Sequence, residues 1–269
     1  MLNVTDLSSY LYCPRQLYLK NIIKIPPPPK DVMLKGTIKH SVIEKLDQIE
    51  KQIVKNITKP LEKDQIKNIY EKNYKSIFLR ILEKYNKSLL NFEIDPNLFF
   101  ETSWPIYERE AKFRAYTVFD FINETKLVGE ELWDNIEPKF ISELKIISKD
   151  LRLKGKIDKL EMYKNKIIPV EMKSGKMPQT GVWPSNKIQL IAYCFLTQEH
   201  FNKPVKEGYI HYLDHQEKRK ITLNPFSKIE LLNIRDLIFK MLDQKQPPET
   251  LNNNKCEHCQ LKEQCHSLK

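Results

Sequence analysis

Two runs of strand-forming residues, Leu151 to Tyr163 and Ile167 to Met172, are separated only by Lys164-Asn165-Lys166. So short a connection leaves antiparallel pairing as the available arrangement. This hairpin is the feature that most constrains the fold, because it brings Asp158 of Gly155-Lys156-Ile157-Asp158 beside Glu171 of Pro169-Val170-Glu171-Met172-Lys173. Alternate residues of a strand share a face. Glu171 and Lys173 therefore point together, with Val170 and Met172 opposite, as in a half-exposed strand.

Two carboxylates meeting at one point repel each other, and a hard divalent cation with oxygen ligands relieves the repulsion. Such a cation lowers the pKa of water and neutralises a phosphate, while Lys173 can orient the attacking water or stabilise charge at phosphorus. Hydrolysis of a phosphodiester needs these parts. A pattern this short also arises by chance in a solvated hairpin. His40, near the start of a helix at Gly36-Thr37, can supply a nitrogen ligand or serve as a capping or surface histidine. Gln189 and Tyr193 stand at i and i+4, on one face of the helix after the hairpin. A polar pair among Ile188, Leu190, Ile191 and Phe195 suits a contact to a nucleic-acid backbone or to Lys173, or two buried groups satisfied by backbone.

Along the chain a first helical pattern runs from Thr5 or Asp6 to Lys20 and ends before Pro26 to Pro29, a stiff polyproline II spacer. Helical periodicity returns from Gly36 to Ile49 and from Leu61 to Phe92. After Pro96 the aromatic and β-branched runs Phe99 to Trp104 and Phe113 to Phe121 predict strands, followed by a strand over Phe140 to Ile147. A helix is expected from Asn186 to Glu199 and strands from Gly208 to Leu213 and Arg219 to Leu223. The last long helix spans Pro225 to Asp243, with Pro225 near its N1 position, and residues 246–254 read as a linker.

Cys256, Cys259 and Cys265 form a compact claw for which Cys13 is the natural fourth ligand, while Cys194 lies on an apolar helix face and reads as core. Four thiolates suit a tetrahedral zinc ion or a 4Fe-4S cluster. One isolated cysteine joined to a triplet favours the cluster, and His258 and His266 keep zinc open. Either metal would tie the N-terminal helix to the C-terminal tail. With 45 Lys+Arg against 35 Asp+Glu, the net charge of +10 favours a polyanionic partner. No apolar run is long enough for a membrane span, and Met1 leads into Asn, Thr and Asp rather than a signal region, so a cytoplasmic protein is expected.

Tyr10-x2-Cys13-Pro14-Arg15-x2-Tyr18, His40, Gly155-x2-Asp158, Glu171-x-Lys173, Gln189-x3-Tyr193 and Cys256, Cys259, Cys265 together resemble the RecB-like exonucleases of CRISPR loci, the fourth of the Cas protein families, within the PD-(D/E)XK nuclease superfamily. The resemblance implies an α/β (α+β) fold with a restriction-endonuclease-like core, a mainly helical insertion and an iron-sulfur module joining the termini. It implies Mn2+ or Mg2+ on His40, Asp158 and Glu171, catalytic assistance from Lys173, Gln189 and Tyr193 at the active site, and a 4Fe-4S cluster on Cys13, Cys256, Cys259 and Cys265.

The implied activity is 5′ to 3′ exonucleolytic cleavage of single-stranded DNA or DNA ends, trimming new spacers before the CRISPR integrase inserts them. The expected division is an N-terminal segment over residues 1–36, a helical region over 37–97, a nuclease core over 98–245 and a cluster-binding tail over 246–269. The stretch between His40 and Asp158 is longer than the compact family pattern, which suits a lid, an arch over DNA or a homo-oligomer interface. Two rivals are a repair or mobile-element nuclease outside CRISPR and a largely non-catalytic DNA-end adaptor for the integrase.

Overall fold

The computed structural model describes residues 1–26, 28–257 and 259–268. Pro27 of the expected proline spacer and His258, weighed as a zinc donor, lie outside the described residues. The fold is mixed α/β, built on one six-stranded sheet. In chain order it contains β1 (Leu2–Asn3), α1 (Val4–Tyr12), α2 (Pro14–Tyr18), a π-helical turn (Leu19–Ile23), α3 (Asp31–Lys55), α4 (Lys63–Asn91), α5 (Pro96–Thr125) and α6 (Gly129–Asn135). There follow β2 (Lys139–Ser148), β3 (Leu153–Met162), β4 (Ile167–Lys173), α7 (Pro184–Phe201), β5 (Glu207–Tyr212), β6 (Glu217–Thr222) and α8 (Ser227–Gln244), with the short α9 (Asn254–Glu257) and α10 (Lys262–Ser267) in the tail.

Strand β3 is the hub. Strand β2 pairs antiparallel along the whole of one edge, from Lys139↔Met162 to Ser148↔Leu153. On the other edge the start of β3 pairs in parallel with β1, and its end pairs antiparallel with β4 from Lys159↔Val170 to Met162↔Ile167. Between these two partners, Gly155 to Asp158 have no ladder on that edge. Strand β4 continues in parallel to β5 through the α7 crossover, and β5 and β6 form a hairpin.

Helices cover both faces. On one, α1, α7 and α8 bury Leu7, Ile188, Ile191 and Leu231 against Leu153, Ile157 and Leu160. On the other, α3 to α6 form their own apolar cluster, which reaches Met172 of β4 and continues to Ile136. Strand β4 is consequently buried on both faces rather than half-exposed.

The strands expected at Phe99 to Trp104 and Phe113 to Phe121 are instead parts of the single helix α5. Its buried residues Phe99, Ser103, Tyr107, Ala111, Ala115, Val118 and Ile122 recur at helical spacing. Asp95 caps its start by accepting from the Asn97 amide at 2.8 Å. The aromatic content reflects a partner helix rather than a pleated surface: Phe78 of α4 stacks on Phe100 at 5.0 Å and meets Tyr107 edge-on at 4.7 Å.

Four smaller expectations also change. The helical pattern expected from Thr5 or Asp6 to Lys20 is broken at Cys13, whose extended backbone separates α1 from α2, and it ends in the π-helical turn. Helix α3 begins at Asp31, so Gly36 is interior to it; a Cβ there would come 2.9 Å from Ser174 Oγ, and close approach to the end of β4 is what the glycine permits. Helix α8 begins at Ser227, leaving Pro225 ahead of the N-cap Phe226. Strand β6 begins two residues earlier than its apolar run suggests.

Candidate active site

The gap beside β3 is where the predicted polar residues gather. Past the Lys159↔Val170 pair the ladder between β3 and β4 ends, and the Met172 amide donates to Asp158 Oδ2 at 2.8 Å, so a side chain replaces a carbonyl as the strands part. Asp158 Oδ1 lies 3.3 Å from Nδ1 of His40, which projects from α3. Glu171 is buried, and its Oε1 accepts from Lys173 Nζ at 2.7 Å and from Gln189 Nε2 at 2.6 Å. Lys173 also donates to Gln189 Oε1 at 2.9 Å, and Gln189 Nε2 lies 3.3 Å from the Tyr193 hydroxyl. Gln189 thus binds both members of the Glu171/Lys173 pair from α7. Tyr193 can pack this close to β3 because position 155 is glycine: a Cβ there would fall 2.7 Å from the tyrosine ring and 2.9 Å from Val4.

All six predicted residues line one groove of about 1140 Å³, and Lys84, Lys145, Lys154 and Lys156 line it as well. Sequence reading missed Glu143. It occupies the position of β2 across from Asp158, it has φ of +58°, and its carboxylate lies with His40 and Asp158 in a set of ligand atoms all within 4.8 Å of one another. A lone glutamate in an alternating strand reads as surface charge, and no local signal in the sequence marks it.

The electrostatics follow from crowding. Burial, reinforced by the charge of Asp158, pushes Glu171 up to about 8 despite Lys173. Burial works against ionised Asp158 too, but its hydrogen bond and charge contact with His40 prevail and hold it below the usual carboxylate range. His40 is raised by the same contact, which outweighs its desolvation. Glu171 Oε2 has no hydrogen-bond partner among the described residues. The ligand atoms gathered within 4.8 Å of one another belong to His40, Glu143 and Asp158; Glu171 lines the same groove outside that set, and its buried, open carboxylate oxygen suits an oxygen-preferring divalent cation.

At the other end of the molecule Cys13, Cys256 and Cys259 line one concavity with Tyr12. Cys13 is raised mainly by burial, and Cys265 sits on α10 of the same tail; among the described residues no three thiols bring their sulfurs within 4.8 Å of one another. The cysteine-rich tail is bound firmly. Arg15 is buried and donates to the carbonyls of Pro248, Cys265 (2.8 and 3.1 Å) and Leu268 (2.7 Å), and the Tyr18 hydroxyl donates to Lys245 O at 2.6 Å. His266 is exposed, and Cys194 is fully buried on α7, as a core residue should be.

Residues 1–266 match the family model for the PD-(D/E)XK nuclease superfamily. The chain belongs to this superfamily. Among curated proteins, the DNA replication ATP-dependent helicase/nuclease JHS1 of Arabidopsis thaliana is 23% identical over 97% of this chain, and a CRISPR-associated exonuclease Cas4/endonuclease Cas1 fusion of Leptospira interrogans is 26% identical over 51% of it. The chain spans only 20% and 27% of those relatives' lengths. The crystal structure of SSO0001 overlaps 64% of this chain and 81% of its own, with 14% identity and a TM-score of 0.35. Within the nuclease domain, no described helix is long and apolar enough to cross a membrane.

Proposed function

We propose that this nuclease-superfamily chain is a metal-dependent DNA exonuclease acting on single-stranded DNA or DNA ends, with 5′ to 3′ polarity, and that it trims new spacers for the CRISPR integrase. The observation that carries the hydrolytic reading is the convergence of His40, Asp158, Glu171, Lys173 and Gln189 in one lysine-lined groove. His40, Asp158 and Glu171 would hold Mn2+ or Mg2+. When bound, the cation supplies charge neutralisation at the phosphate and a more acidic water. Lys173, fixed by Glu171 and Gln189, presents its ammonium to the water and the scissile phosphate; Tyr193 limits the rotamers open to Gln189. Lys84, Lys145 and Lys154 offer contacts to the DNA backbone along the groove.

The CRISPR assignment draws on the terminal cysteine set and on the partial likeness to the Cas4/Cas1 fusion. In the same reading Cys13, Cys256, Cys259 and Cys265 hold a 4Fe-4S cluster, for which Cys13, Cys256 and Cys259 already line one concavity, and it would reinforce the Arg15 and Tyr18 contacts to the tail. The match to the plant helicase/nuclease extends over nearly the whole chain and favours, as second reading, a replication or repair nuclease with the same centre.

A time course on single-stranded DNA labelled separately at each end tests the function, comparing wild type with Asp158→Ala in Mn2+, Mg2+ and EDTA. Metal-dependent shortening from the 5′ end, lost in the variant, is expected. Cleavage that persists in EDTA or in the folded variant would overturn the metal site.

A further inference from the structure

Glu143 breaks the regularity of its strand. Its neighbours sit in ordinary cross-strand pairs, Ser142↔Lys159 and Leu144↔Ile157. Ser142 and Lys159 both turn toward α3, where they donate to Asp47, Lys159 at 2.8 Å. Leu144 and Ile157 both pack into the cluster beneath α7 on the opposite face. Residues two apart in a strand should share a face, so the pleat changes phase between these pairs, at Glu143 and Asp158. The left-handed backbone of Glu143, unfavourable for a residue with a Cβ, marks the point. The outcome is that two facing carboxylates point at His40.

Glu143 is already engaged by a cation. Lys156 forms an ion pair with its Oε2, and the Lys156 side chain is about half exposed along the groove (52%), whereas Glu143 is largely covered (14%). The site thus holds an ammonium where a divalent ion seeks a ligand.

We propose that Glu143 is exchanged between Lys156 and the divalent cation, so that metal loading frees Lys156 to contact a DNA phosphate in the groove. This rests on the cation site of the preceding section and adds a ligand and a coupling to it. Asp158 and His40, whose ligand atoms lie with those of Glu143 within 4.8 Å of one another, supply the rest of the donor set, and Glu171, whose Oε2 has no partner among the described residues, lines the same groove. A dication drawn to Glu143 repels the nearby ammonium, and Lys156, on its long exposed stem, has room to move outward beside Lys154 and Lys145. Lys156 then acts only once the cation is present, which links DNA grip to competence for cleavage.

The test is Mn2+ titration calorimetry on the full chain for wild type, Glu143→Gln, Glu143→Gly, Lys156→Met and Asp158→Asn. Anisotropy of a labelled phosphorothioate oligothymidylate is measured with EDTA and with saturating Mn2+. Loss of the Glu143 carboxylate should weaken Mn2+ at least about tenfold. Glycine accepts the backbone at position 143 and so separates ligand loss from misfolding. Lys156→Met should tighten Mn2+ about two- to fivefold, the worth of an exposed ion pair, and abolish the gain in oligonucleotide affinity that Mn2+ gives the wild type. Mn2+ affinity within twofold of wild type in both Glu143 variants, or unchanged or weaker affinity in Lys156→Met, overturns the exchange. If Asp158→Asn still abolishes binding in that case, the cation site stands and only the exchange fails; absence of Mn2+ binding by the wild type removes both.

Discussion

The helical layer contains a buried ion pair whose removal should be felt throughout the fold. Arg114 of α5 and Glu50 of α3 are essentially inaccessible to water (0% and 1%). Arg114 Nε and Nη2 donate to Glu50 Oε1 at 2.9 and 2.6 Å, and the Tyr70 hydroxyl of α4 donates to the same oxygen at 2.8 Å. The guanidinium lies 4.6 Å from the Phe140 ring centroid at the start of β2. Arg114→Met keeps length and apolar bulk but strands the Glu50 carboxylate with only a phenol partner, which should destabilise the fold by about 3–5 kcal/mol. Glu50→Leu should cost a similar amount by stranding Arg114.

The double variant removes both charges and leaves mainly the Tyr70 hydroxyl without its acceptor, a loss of about 1–3 kcal/mol. Arg114 Nη1 and Glu50 Oε2 are unpartnered among the described residues, so the pair recovers its desolvation incompletely. The double variant should therefore be more stable than either single one. Urea unfolding with an unchanged m-value is the assay. A single-variant loss below about 1 kcal/mol, or a double loss equal to the sum of the singles, would refute the reasoning. Well below its melting range the double variant should still bind Mn2+, because Glu50 lies ten residues beyond His40, about 15 Å along α3.

Three further outcomes are expected. Glu171, pushed up to about 8, carries a proton in the metal-free site at lower pH, and cation binding must displace it. Apparent Mn2+ affinity should thus rise with pH and weaken about tenfold for each unit below that value, and calorimetry in buffers of different protonation enthalpy should register proton release at pH 7; none released would refute the assignment. Gly155→Ala should lose about 1–3 kcal/mol, because Tyr193 and Val4 are buried and cannot yield to the new methyl, and it should slow cleavage by displacing Tyr193 from Gln189; a stable, fully active variant would contradict the packing argument. Cys13→Ser should purify without iron while Cys194→Ser retains it, and equal iron in both would exclude Cys13 as a ligand.

The hairpin, the α7 helix and the grouping of Asp158, Glu171, Lys173, Gln189 and Tyr193 were legible in the residues themselves. A three-residue turn sets strand register, and i, i+4 spacing sets a helix face, so each needs only local geometry. The expected return of the tail to the N-terminal helices is met in the fold, where Cys13, Cys256 and Cys259 line one concavity; that the four thiols share a metal is the proposal made above. What local pattern misread was α5, where aromatic runs suited strands until α4 offered a helical face to pack on. The same holds for β4, whose charged residues suggested water on one side. They face α7 instead, and the helical layer covers the reverse.

Glu143 shows the limit most clearly. Its role depends on a pleat that changes phase, on a strand that parts from its neighbour one pair before Asp158, and on His40 brought in from a helix more than one hundred residues earlier. Sequence determines which residues can bind a cation or a phosphate, because that is side-chain chemistry. Only the tertiary structure decides which of them meet, because the meeting point is made by long-range strand pairing and by two helical layers closing on one sheet.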